Sequence, residues 1–280
     1  MTVGGRTEET AARATPPRRA GGRVPVGLMV PAGIGLAFLV LPLVGLLVRT
    51  PWSTLLERLT APGVLTALRL SLQAATIATI ICVLLGVPLA WLLARVDFPG
   101  RKLVRALVTV PLVLPPVVGG VALLLVFGRR GLVGSWLLAT FGFSLPFTFA
   151  GVVMAEAFVA MPFLVIAVEG ALRGADTRFE EAAATLGASR WTAFRRVTLP
   201  LVAPGIAAGA VLGWARALGE FGATITFAGN SPGRTQTMPL AVYLALETGR
   251  LEDAIVLSLV LLTVSVAILV SLRDRWLTTP

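Results

Sequence analysis

Long apolar runs, separated by short polar and basic stretches, set the pattern of this chain. Runs occupy residues 24–48, 67–94, 106–127, 147–172, 201–227 and 254–272. About 20 apolar residues in helical conformation cross the hydrocarbon core of a bilayer. No ladder of short alternating segments suggests a membrane barrel. The pattern predicts an all-α, polytopic membrane protein with six transmembrane helices. Pro88, Pro111, Pro115, Pro116 and Pro162 lie within the runs. Proline is tolerated there where neighbouring helices or a cavity satisfy the freed backbone groups. The stretch "PLVLPP" at 111–116 predicts either a break in the third span that widens a path or a simple kink.

The polar remainder divides the chain further. Residues 1–23 are rich in Gly, Pro, Thr, Ala and Arg and lack an apolar face, which predicts a disordered tail. The run at 24–48 follows basic residues, as a secretory signal does. It is longer than a signal core and no small-x-small site follows it, so a retained first span is expected.

Composition sharpens this picture. Of 280 residues, 56% are hydrophobic and 14% charged, about half the charge of a soluble domain. There is no histidine and one cysteine, Cys82. An intrachain disulfide and a multi-cysteine metal site are excluded, and the commonest general base is missing. The net charge of +10 would suggest nucleic acid in a soluble protein. Its distribution suggests membrane orientation instead. One set of connections and ends carries Arg6, Arg13, Arg18, Arg19, Arg23, Arg95, Arg101, Lys102, Arg105, Arg173, Arg178, Arg190, Arg195, Arg196, Arg273 and Arg275. The opposite set carries Arg49, Arg58, Arg129, Arg130, Arg234 and Arg250. The excess of cations predicts both termini, and the connection 176–200, in the cytoplasm.

That connection is amphipathic and punctuated. Thr177 with Glu180 three residues later has the form of a capping box, with Asp176 as an alternative cap. A first helix then runs to Gly187, a helix terminator. Ser189 caps a second helix through Trp191, Phe194 and Val197, ending at Pro200. Phe179, Ala183 and Leu186 fall near one face, and Arg190, Arg195 and Arg196 make the second part basic. The residues alone allow two readings. One is a helix lying in the lipid interface. The other is a docking element for the groove of a cytoplasmic partner.

The spacing Glu181-Ala182-Ala183, Gly187, Val197, Leu199-Pro200 resembles the EAA loop of permease subunits of ABC importers. The departure is Val197, where isoleucine is common. The resemblance implies a type I ABC importer permease fold. It also implies that 176–200 holds a coupling helix seated on an ATPase subunit. No Gly-x-x-x-x-Gly-Lys-[Ser/Thr] loop occurs and Lys102 is the only lysine, so the chain lacks the usual phosphate cradle. The resemblance therefore implies no cofactor on this chain, with ATP and Mg carried by a separate ATPase.

The block "GWARALGEFGATITFAGNSPGRTQTMPLAVY" at 213–243, with "FPGRKLVRALVTVPLVLPPVVGG" and "GRRGLVG" upstream, resembles the molybdate branch of these permeases. The resemblance covers about residues 64–272. It implies a homodimer, two ATPase subunits, an extracytoplasmic oxyanion-binding protein and a place in the inner membrane, with no nucleic acid. A sulfate, thiosulfate or tungstate permease is the neighbouring alternative. A secondary anion carrier is disfavoured because no inverted repeat is evident. A membrane enzyme is disfavoured by the missing histidine and the lack of an acidic cluster, and no catalytic or metal-binding residue is expected.

Charges inside spans are costly and so informative. Arg216 and Glu220 stand four apart and share a helix face. Three roles are open for them: a self-neutralising ion pair, contact with an anion in transit, or a gate. Thr224 completes this candidate path. Glu156 and Glu169 suggest polar contacts between helices or at the interface. Gly205, Gly209, Gly213 and Ala217 form a small-residue stripe for close helix packing, with a second copy as one expected partner. Asn230, Ser231, Pro232 and Gly233 predict a turn. The segment around it meets a binding protein or forms a re-entrant element.

Overall fold

The computed structural model describes residues 26–276, with side chains described for 27–268 and 270. The predicted tail at 1–23, and the side chains of Arg273 and Arg275, lie outside the described residues. Those residues form helices and connecting turns, with no strand among them.

Helix α1 (Val26–Arg49) is apolar on every side, and nearly all of its described side chains are exposed. Such a surface suits lipid or another protein within a bilayer.

The second unit begins at Arg49. After the short helix α2 (Leu55–Leu59), its centre is built on α3 (Pro62–Arg95). Helix α4 (Arg101–Val113) and helix α5 (Pro116–Phe127) follow, then α6 (Gly134–Phe141). Helix α7 (Phe149–Gly174) packs along α3. The connection holds α8 (Arg178–Thr185) and α9 (Arg190–Ala193) and leads into α10 (Leu199–Leu218). Last come α11 (Gly222–Ala228), α12 (Met238–Glu247) and α13 (Leu251–Trp276). Among the described residues five helical stretches are long and apolar enough to cross a bilayer, and there are six if the bent pair α4–α5 is counted as one span.

The core lies among α3, α7 and α10. It is lined by Ala74, Ala75, Ala78, Cys82, Ala90 and Leu93 from α3, with Val152, Ala160, Leu164, Val165 and Val168 from α7. In lipid no hydrophobic gain drives helices together, so small residues that permit close approach carry the association. A Cβ added at Gly205 would meet the Ala171 Cβ at 2.3 Å, and one at Gly209 the Ala167 Cβ at 3.0 Å. The stripe Gly205, Gly209, Gly213 and Ala217 thus packs on α7 of its own chain. This is the close helix packing that the small-residue spacing predicts.

Two predicted spans break. The run 106–127 is interrupted at Leu114–Pro115, where α4 and α5 meet at 118°. Leu114 precedes a proline and is extended (φ −66°, ψ 132°), as is Pro115 (φ −53°, ψ 132°). A residue before proline is pushed out of the helical region, and Pro115 has no N–H to continue the ladder. The bend is far sharper than a kink. It lets α5 lie on α11, where a Cβ at Gly120 would stand 2.6 Å from the Thr226 Cβ. The run 201–227 likewise divides at Gly219–Phe221 into α10 and α11.

Helices α2, α6 and α12 were not legible as separate elements. Helix α12 is docked between α3 and α13 and begins where the Met238 N–H donates to Ser71 Oγ at 2.7 Å. Arg58 of α2 pairs with Glu252 and Asp253 in the first turn of α13. Those acids also face the positive end of that helix.

Candidate functional site

The connection between α7 and α10 folds as helix, glycine, helix. The capping box does not form. Thr177 already has helical backbone angles (φ −69°, ψ −17°) and its side chain makes no cap. Asp176 Oδ1 accepts from the Arg178 N–H at 2.9 Å instead. Glu180 turns inward. Its Oε1 accepts from Arg95 Nη2 at 3.1 Å and from the Thr198 hydroxyl at 3.0 Å.

Gly187 ends α8 with φ +84°. The Gly187 N–H donates to the Ala184 carbonyl and the Ala188 N–H to the Ala183 carbonyl, both at 3.0 Å. This is the Schellman pair, which needs a left-handed residue at that place. Ser189 then caps α9, accepting from the Thr192 N–H at 3.2 Å. Contrary to expectation, the second helix does not end at Pro200. A π turn over Phe194–Thr198 carries α9 directly into α10. Within a regular helix a proline ring strikes the carbonyl four residues back, here that of Arg196. The wider turn, with the Leu199 N–H donating to the Phe194 carbonyl, relieves that contact.

The motif residues divide between two sides. Glu181, Ala182, Gly187 and Pro200 are exposed, whereas Ala183, Val197 and Leu199 are half-buried. Phe179, Leu186 and Trp191 add outward apolar surface, with Leu186 89% and Trp191 68% exposed. Trp191 stacks on Phe194, whose ring meets Trp91 of α3 edge-on at 6.0 Å. At the same end, Glu169 accepts from Arg105 of α4 at 2.7 Å and from Arg173 at 2.6 Å. This is the polar contact between helices expected of Glu169. The residue that sequence reasoning missed is Glu180, read there only as half of a cap. Nothing local distinguishes it, because its partner Arg95 lies 85 positions away.

A second polar site sits where α10 passes into α11. Eighteen residues separate Thr198 from Arg216, about 27 Å of helix. Arg216 Nη2 lies 2.6 Å from Glu220 Oε2, the pairing that their spacing predicts. Glu220 is 1% exposed, and its other oxygen accepts from the Ala223 N–H at 2.7 Å. One carboxylate thus neutralises Arg216 and caps α11, where the helix dipole favours negative charge. Thr224, fully buried, stands in the first turn of α11. Its hydroxyl has no hydrogen-bond partner among the described residues, so it joins neither Arg216 nor Glu220. Glu156 of α7 is 1% exposed, with Oε2 likewise unpartnered, and lies within electrostatic reach of Glu220. An orphaned polar atom out of water costs about 1–3 kcal/mol.

The segment after α11 makes the predicted turn. The Ser231 carbonyl accepts from the N–H groups of Arg234, Thr235 and Gln236, and Gly233 has φ +75°. Thr235, Gln236 and Thr237 are buried beneath it. No group of three or more Asp, Glu, Cys or His able to hold a metal occurs among the described residues.

Residues 84–279 match the family described as binding-protein-dependent transport system inner membrane component. A molybdenum transport system permease protein of Mycobacterium tuberculosis is 47% identical over 252 residues, covering 90% of this chain and 95% of the relative. A sulfate transport system permease protein of Escherichia coli is 37% identical over 258 residues, covering 90% and 93%. The fold is similar to that of a solved bacterial ABC transporter involved in the import of the acidic polysaccharide alginate. That likeness has a TM-score of 0.73 and 19% identity, and it covers 90% of this chain and 95% of the solved one.

Proposed function

The chain belongs to the family of binding-protein-dependent transport system inner membrane components, and from that premise we propose that it is the membrane-spanning permease of an ABC importer that carries molybdate into the cytoplasm. The observation that carries the substrate is the 47% identity to a molybdenum permease across nearly its whole length, against 37% for a sulfate permease. Sulfate, thiosulfate or tungstate import is the second reading, since those oxyanions share charge and shape with molybdate.

The chain works without a cofactor of its own, and ATP and Mg bind a separate ATPase. Two copies form the path, and two ATPase subunits dock from the cytoplasm on 176–200. Of these docking residues, Glu181, Ala182, Gly187 and Pro200 face outward, while Ala183, Val197 and Leu199 are half-buried and hold the loop in place. The exposed Leu186 and Trp191 support this reading, because a helix-in-groove contact needs apolar anchors. The cluster Arg95, Arg101, Lys102, Arg105 and Arg173 at the same end as the loop supports a cytoplasmic placement, with both termini on that side. An extracytoplasmic binding protein delivers the oxyanion at the opposite end.

In this mechanism, ATP binding draws the ATPases together and the docked loops with them. Helix α10 transmits the movement to the junction with α11. There Arg216, Glu220 and Thr224 form the gate or line the path. Arg216 is held by the buried Glu220, and separation of the pair would offer Arg216 to the passing anion.

The division of labour has a direct test. The purified chain alone is expected to hydrolyse no ATP, and the assembled complex to do so. Hydrolysis that survives removal of every co-purifying ATPase would contradict it.

A further inference from the structure

Helix α8 is joined to the rest of the chain by two turns, the Ala175–Thr177 connection and the left-handed Gly187. A push on its outer face, if nothing else held it, would only rock the helix. We propose that Glu180 is the positioning residue that locks α8 to the core, so that movement of the docked helix reaches the spans; this rests on the docking reading of 176–200.

One carboxylate oxygen makes the lock. Glu180 Oε1 accepts from Arg95, the last residue of α3, and from Thr198, the last residue of the π turn before α10. Thr198 is 1% exposed, and the Arg95 and Glu180 side chains are 14% and 26% exposed. Arg95 also donates to the Ala175 carbonyl, just past α7, at 3.4 Å. A single acidic side chain on α8 therefore reaches the cytoplasmic ends of the helices that make the core. Glu180 adjoins Glu181, which is exposed on the outer side. Outward contact and inward lock thus fall on neighbouring residues of one short, rigid helix. A partly buried, charge-assisted bond of this kind is stronger than an exposed surface pair.

The test uses the full complex, with its ATPase and binding protein, in proteoliposomes. Glu180→Ala is expected to retain the ATPase on purification but to lower the number of molybdate ions imported per ATP by about tenfold. The charge exchange Glu180→Arg with Arg95→Glu is expected to recover part of that ratio, which neither single reversal does. A wild-type ratio in Glu180→Ala overturns the proposal. A lowered ratio accompanied by aggregation, with no recovery in the exchange, also overturns it, since the contact then serves folding alone. Gly187→Pro separates this from the docking reading. If Gly187→Pro releases the ATPase while Glu180→Ala couples normally, the lock alone fails. If neither variant affects ATPase retention or coupling, the docking reading fails with it.

Discussion

Gly187→Pro is expected to cut uptake by about a hundredfold while the chain still inserts and folds. Gly187 stands at φ +84°, and its N–H closes one bond of the Schellman pair. Proline fixes φ near −65° and has no N–H, so it loses both the geometry and the bond. Gly187 itself is exposed, with nothing within 4 Å of its Cβ position, so the damage falls on the angle between α8 and α9. That angle presents Glu181 and Ala182 outward while Trp191 stays stacked on Phe194. Gly187→Ala provides the graded control. A left-handed alanine costs about 1–2 kcal/mol, so its loss should be intermediate. ATPase retention and uptake in membranes with matched permease levels measure the effect. Normal coupled transport in Gly187→Pro, and in a variant with a bulky apolar residue at Glu181, would remove the docking assignment.

Reversing either charge of the Arg216–Glu220 pair is expected to be the second most damaging change. Glu220 is buried, and reversing Arg216 alone would set two carboxylates against each other. Breaking a buried pair typically costs about 3–5 kcal/mol. Arg216 keeps some exposure, its side chain being 28% accessible, which places the loss at the lower end of that range. The double exchange Arg216→Glu with Glu220→Arg should regain stability, though not all of it. The exchanged arginine cannot accept from the Ala223 N–H, and a cation there opposes the dipole of α11. Thermal unfolding of the purified variants should rank the double above both singles. Equal stability of all three would show that the pair contributes nothing.

The parts of this molecule that could be read from sequence are those set by local chemistry. Apolar runs long enough for a bilayer announce their helices, and the prolines at 115 and 116 announce an irregularity without choosing between a kink and the 118° break that forms. Gly187 and Ser189 do their work within four residues, so both were legible. Pro200 misled because its usual role as a stop was overridden by the π turn, which accommodates the ring without ending the helix. The break between α10 and α11 was hidden by the apolar character of its flanks. At that break Glu220 lies outside both helices, and its carboxylate accepts from the Ala223 N–H of α11. Helix α12 is too short to announce a span, and its place depends on Ser71, which lies 167 positions away. Glu180 was assigned to a local cap because its distant partners, Arg95 and Thr198, come near only in the folded chain. Glu156 stood out as an acid in an apolar run, but its approach to Glu220 depends on how α7 meets α11.

Uptake of labelled molybdate by proteoliposomes tests the central claim most directly. The vesicles would hold this chain with its ATPase and its binding protein, and sulfate and tungstate would serve as competitors. Uptake is expected to require ATP, to be blocked by tungstate and to be left intact by sulfate. Uptake blocked mainly by sulfate would contradict the molybdate assignment, and uptake that proceeds without the ATPase would contradict the importer itself.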